Sequence, residues 1–246
     1  MQTKLFDCLF LNGDSYSAGS DNITTYGEFL SQKLDVPLIN KSIPGSNNDR
    51  IIRSSVETIT KLLEQGRTPM VILGLSFIRR LETWYYGNNK DLLSKIPDCN
   101  LDDQCRLNLI TLDHLMHSEE MTPGQKELFI ETTDTLHKRL VDFYMNLFFF
   151  CHWIEKMNLQ YFVFSPARNT DCTIFSLNIS GLKFIDWCNQ NPRIWKLTDF
   201  CFIDWAKEHD NNAESTGHLS TDGHRKFADV LLTNLNSLPG GFNGTV

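Results

Sequence analysis

Four short segments of this chain hold residues that could do chemistry. The first is LFLNGDSYSAGSD at residues 9–21, where an apolar run leads directly into Gly13, Asp14 and Ser15. A hydroxyl placed there is a candidate nucleophile, provided a base can take its proton. Gly13 lets the backbone turn sharply, and Asp14 can hydrogen-bond the loop and hold it rigid. The same triplet is also what an ordinary turn looks like. The base comes from the other end of the chain. In TGHLSTDGHRKFADVL at residues 216–231, His218 lies in a glycine-containing loop just before a helical pattern. Imidazole is the usual general base near neutral pH, although a single loop histidine is more often a polar surface residue.

The remaining two segments supply groups that could stabilise negative charge. In NKSIPGSNND at residues 40–49, Gly45 precedes a helix and can expose a backbone N–H where an anion is favoured; an ordinary loop glycine reads the same way. In VILGLSFIRR at residues 71–80, Ser76 or Arg79 follows an apolar run and would project near the same edge. Arg80 reads as a surface cation paired with acids such as Glu82.

The elements that must position these groups alternate. Residues 4–12, 36–40, 68–75 and 160–165 read as strands, and the polar stretch after the first of them reads as a loop. Residues 26–34 and a segment after Gly45 that ends near Gly66 carry apolar faces at helical spacing. Ser46, Asn47 or Asn48 can cap the second of these helices. A long helix is expected from Pro123 to residue 159, with shorter elements near 182–189 and 200–208 and a final helix over 221–235. Strand–helix alternation favours a mostly parallel sheet covered on both faces. We therefore expect one α/β domain over residues 1–246, a three-layer α/β/α sandwich with a flavodoxin-like sheet of about five strands. An irregular insert is expected at about 84–121 and a loose tail at about 237–246. In such sheets ligands sit at the carboxyl ends of the strands, where strand order reverses, which puts Ser15 at the rim.

Composition narrows the partners. A formal net charge of -7 repels polyanions, which argues against nucleic acid and anionic membranes. No run of 18 apolar residues occurs. The seven cysteines are odd in number, irregularly spaced and lack a CxxC pair, and the chain opens without a signal-peptide form. Free thiols in a reducing, cytoplasmic compartment are expected. His114, His117, Cys99 and Cys105 fit no standard zinc spacing, so no metal is expected. The aromatic stripe through Phe143, Tyr144, Leu147 and Phe148 reads as core, leaving Phe149 and Trp153 for a homodimer contact.

Taken in order, the four segments resemble the blocks of the SGNH/GDSL hydrolases over nearly the whole chain. The resemblance implies Ser15 as nucleophile and the N–H groups of Ser15 and Gly45 as oxyanion donors. It also implies a third donor after Gly74. The family often reads His-Pro-Asn, a spacer, Gly-His and a helix with an early Ala. Here His218-Leu219-Ser220 is followed by Gly223-His224 and Ala228. That register makes His218 the catalytic base and His224 a supporting helix histidine; His224 as base, with Asp222 nearby, is the other assignment. The chain departs from the family in two places. Ser76 stands where an Asn donor is usual, with Arg79 as a compensating cation. Ser215 and Thr216 occupy the usual places of the triad Asp, leaving Glu214 and Asp210 as the nearest acids, or a Ser–His dyad oriented by a carbonyl. The implied activity is cofactor-free hydrolysis of a small acyl or acetyl ester. The alternative is a catalytically degenerate protein of the same fold that binds a sugar or small ester. A nucleotide-binding reading lacks both GxGxxG and GxxxxGK[ST].

Overall fold

The computed structural model describes residues 5–19, 22–77, 80, 82–85, 108–111, 122–124, 136–165, 182–195, 201–210, 213 and 218–238. Strands β1 (Cys8–Gly13), β2 (Leu38–Asn40), β3 (Pro69–Gly74) and β6 (Tyr161–Phe164) form a parallel sheet in the order β2-β1-β3-β6. Counting only its own members, this sheet runs second, first, third, fourth, which is the flavodoxin-like order. A fifth position is present in reduced form. Val163 N–H donates to Arg193 O (2.9 Å) and Trp195 N–H to Val163 O (2.7 Å), giving, among the described residues, one parallel bridge between Val163 and Ile194.

Alternation along the strands builds two cores. Cys8, Phe10, Val71, Leu73, Tyr161 and Val163 face one side. There they meet α3 (Asn48–Glu64), α4 (Leu136–Lys156) and α5 (Lys183–Gln190) through Ile51, Ile59, Leu147, Ile154 and Cys188. Leu9, Leu11, Met70, Ile72, Phe162 and Phe164 face the other side, against α2 (Tyr26–Leu34), α6 (Phe202–His209) and α7 (Thr221–Ser237). Strands buried on both faces have near-continuous apolar sequences, and these do. Phe227 shows how firmly the last helix is seated. It is fully buried and packs against Phe164, Phe202, Tyr26 and Trp205. Burial of one such ring is worth roughly 1.5–3 kcal/mol.

Three expectations change. The loop after β1 contains a helical turn, α1 (Ser15–Ala18), because the Asp14 carboxylate caps it by accepting Tyr16 N–H at 3.1 Å. The stretch expected to be irregular contains an antiparallel pair, β4 (Glu82–Tyr85) with β5 (Asn108–Thr111). Trp153, expected to be spare, packs against the core, whereas Phe149 stands 61% exposed on α4. The parts of the insert, the long helix and the tail at 86–107, 112–121, 125–135 and 239–246 lie outside the described residues. No described helix is long and apolar enough to cross a membrane.

The end of β1 is braced from below by Asn12, which is fully buried. Its Oδ1 accepts Gly13 N–H (2.9 Å), and its Nδ2 lies within 3.0 Å of Ile51 O, Ser54 Oγ and Ser55 Oγ on α3. Asn12 therefore fixes the strand end to the helix beside it. Replacing it with Ala would strand these buried groups, and we expect a loss of about 2–3 kcal/mol in urea unfolding. An unchanged unfolding midpoint would contradict that role.

Candidate active site

Gly13 and Gly74 are register partners at the carboxyl ends of β1 and β3. The Ser17 hydroxyl sits against both, and Tyr26 Oη donates to it at 2.6 Å. A Cβ on Gly13 would collide with Ser17 and would meet Gly74 O at 2.7 Å, so only glycine allows α1 to fold back over the strand ends. Ser15 is thereby lifted to the rim as the first residue of α1, next to its cap Asp14.

The other half of the site comes from the loop before α7. Leu219 is buried, and Ser220 caps the helix by accepting Gly223 N–H at 3.2 Å. Asp210, just beyond α6, holds Ser220 by accepting its backbone N–H (2.7 Å) and its hydroxyl (2.9 Å). His218 is thus anchored by the two residues that follow it. Its Nε2 lies 2.9 Å from Ser15 Oγ across 203 residues of sequence. The Tyr16 ring stacks on the imidazole with centroids 4.5 Å apart and planes 9° from parallel, and Tyr16 packs edge-on against Phe202. This stacking fixes the plane in which His218 meets Ser15.

Asp14 lies at the centre of a buried polar network. Its Oδ2 accepts from Ser76 Oγ (2.9 Å) and from Arg80 Nη1 (3.2 Å). The same Arg80 nitrogen is 3.1 Å from Ser76 Oγ and 3.4 Å from Ser46 O, and its guanidinium lies over Phe77. Ser46 Oγ in turn accepts from Arg50 at 2.9 Å. Asn48 completes the join by pairing with both backbone groups of Ser76, at 2.7 and 2.9 Å. Loops from β1, β2 and β3 are therefore tied together.

Two sequence expectations are corrected by this network. Ser76 was expected to project as an oxyanion donor; it is 1% exposed and its hydroxyl proton is directed to Asp14, while its N–H is taken by Asn48. Arg80, expected to pair with surface acids such as Glu82, reaches the buried Asp14 at 3.2 Å, and the Glu82 side chain lies outside the described residues. Gly45 adopts φ +79°, in the left-handed region where glycine is favoured, between Pro44 and Ser46. Its loop is tied to β1 by Ile43 N–H donating to Gly13 O at 3.1 Å. Arg79 and Glu214 lie outside the described residues. Asn12 and Asn48, which sequence reasoning did not assign to the site, hold it from beneath. The available signal was a polar amide at the end of an apolar strand and another beside a helix cap.

A cleft of about 230 Å³ opens beside the Ser15–His218 pair. Its described walls are Ser15, Tyr16, Gly19, Ile23, Pro44, His218, Leu219 and His224. His224 is 4% exposed, and burial lowers its pKa to about 4, so the ring is neutral at pH 7. Of the two rings, it is that of His218 whose Nε2 lies 2.9 Å from Ser15 Oγ.

No protein-family model matches the sequence, and no curated protein matches it. Among solved structures, the chain is similar to that of "a putative lipolytic protein of G-D-S-L family" from Desulfitobacterium hafniense DCB-2. The two share 11% identity over 93% of this chain and 99% of that one, with a TM-score of 0.47.

Burial raises the pKa of Asp14 to about 6, against the opposing pull of Ser76 and Arg80. A carboxyl whose pKa is raised on folding adds stability in its protonated form, and that stability is lost as pH rises through the folded value. Wild type should therefore gain stability relative to Asp14→Asn as pH falls from 7 towards 4, by about 1–3 kcal/mol. Paired urea titrations at pH 7 and pH 4.5 test this. A constant difference between the two proteins would show that Asp14 does not titrate in that window.

Proposed function

We propose that this chain is a serine ester hydrolase of the SGNH/GDSL type, cleaving a small acyl or acetyl ester through an acyl-enzyme. The observation that carries the reading is the 2.9 Å contact between Ser15 Oγ and His218 Nε2 beside a cleft. A nucleophile and a base within hydrogen-bonding reach are the minimum for covalent acyl transfer.

In this reading His218 Nε2 takes the Ser15 proton as Oγ attacks the ester carbonyl carbon. The carbonyl π electrons move onto oxygen, and the N–H groups of Ser15 and Gly45 are the proposed donors to that oxyanion. Collapse of the tetrahedral intermediate breaks the bond to the alcohol oxygen, which receives the proton from His218. Water then attacks the Ser15 ester with His218 again as base, releasing the acid and restoring both residues. No cofactor enters. Tyr16 keeps the imidazole plane fixed throughout by stacking on it. The Asp14–Arg80–Ser76 network supports Ser15 from behind and touches no substrate.

One observation favours the alternative of a binding protein for a sugar or small ester on the same scaffold. The Ser76 hydroxyl is engaged with Asp14, so the third oxyanion donor of the family has no counterpart at that position. Loss of one such donor costs on the order of 10²–10³ in turnover. A fluorophosphonate probe separates the two readings. Wild type should be labelled and should hydrolyse p-nitrophenyl acetate. Ser15→Ala should abolish labelling, and Ser15→Ala or His218→Ala should each lower turnover by roughly 10³-fold or more, with the double variant little worse than either. An unlabelled, inert wild type would overturn the hydrolase and leave the binding role.

A further inference from the structure

His224 has the properties of a recognition group that awaits its ligand. It projects from the first turn of α7, six residues after the proposed base, and forms part of the cleft wall. The side chain is more than nine-tenths buried, yet Nδ1 is sealed from solvent with no hydrogen-bond partner. Its neighbours explain the burial but leave the ring nitrogens unanswered. The Tyr26 ring lies 5.9 Å away, tilted by 32°, and the Tyr26 hydroxyl is given to Ser17. A buried polar group without a partner costs about 1–3 kcal/mol, so an imidazole kept here in place of a leucine or phenylalanine calls for a reason. Nδ1 is the sealed nitrogen and the ring lines the cleft, so Nε2 is the nitrogen a bound molecule can reach.

Resting on the hydrolase reading above, we propose that His224 is a specificity residue that hydrogen-bonds a hydroxyl on the substrate, so that the cleft takes esters of polyhydroxylated alcohols in preference to simple alkyl esters. The chemistry of the wall sets that choice. Among the described lining residues there is no carboxylate, ammonium or guanidinium. Ile23, Pro44 and Leu219 offer apolar contact only. A neutral imidazole holds one donor and one acceptor nitrogen, and a hydroxyl can answer either. Sites built to hydrogen-bond a hydroxyl discriminate strongly against analogues lacking it, because their own polar group is then left unpaired.

The test compares glycerol 1-monoacetate with propyl acetate, which differ only in the two hydroxyls. Wild type should show a kcat/KM ratio favouring the glycerol ester by roughly ten- to a hundredfold. His224→Phe keeps a ring in the cavity but removes the hydrogen bond, and should bring that ratio close to one. His224→Gln places an amide near the position of Nε2 and should restore most of it. If His224→Phe does not fold, the wild-type ratio and the His224→Gln ratio still decide. A wild-type ratio near one, in protein that the fluorophosphonate labels, overturns the role of His224 alone. Wild type that is neither labelled nor active overturns the hydrolase reading and this proposal with it.

Discussion

A single buried carboxylate joins the parts of this site. Asp14 is 1% exposed, caps the helical turn that carries Ser15, and accepts from Ser76 and Arg80 on the chain after β3. Through Arg80 it also reaches Ser46 on the loop after β2. Burying a carboxylate is costly unless its oxygens are answered by hydrogen bonds and opposite charge. Here both oxygens are answered, and the pKa still rises, so desolvation outweighs the compensation. The arrangement is therefore one of position more than of stability. It holds three strand-end loops at one spacing, and the rim where Ser15 stands is the result.

The two histidines of the last segment show how placement divides roles between identical side chains. His218 lies just before α7, half-buried, against Ser15 and the face of Tyr16. His224 lies in the first turn of α7, buried and neutral. Asp210 makes the division possible, since it grips Ser220 and so sets where the loop ends and the helix begins.

Much of the architecture was legible because it follows from periodicity. Alternation along 8–13 and 69–74 distributes side chains to two opposite cores, and the helical faces of 26–34 and 48–64 match those cores. The sequence placed four of the roughly five strands expected, and the pairing of Val163 with Ile194, in a stretch without strand periodicity, was not legible. The helical turn at Ser15–Ala18 was not legible, because four polar and small residues carry no periodic signal and the turn depends on one side-chain cap. The antiparallel pair β4–β5 was hidden for a related reason, since its strands are four residues long and 22 residues apart.

The sequence by itself offered Ser15 and His218 as candidates for nucleophile and base, because each adjoins a regular element with an apolar pattern, and the resemblance to the SGNH/GDSL blocks favoured His218 over His224. Local pattern cannot determine partners across long separations. That Arg80 would reach Asp14, where the Ser76 hydroxyl would point, and whether Asn12 and Asn48 would face solvent or the core were decided only when the strand ends came together. Hydrogen bonds require donor and acceptor to approach to about 2.7–3.2 Å, and the long-range pairs at this site lie 28 to 203 residues apart along the chain, so those distances exist only in the folded packing.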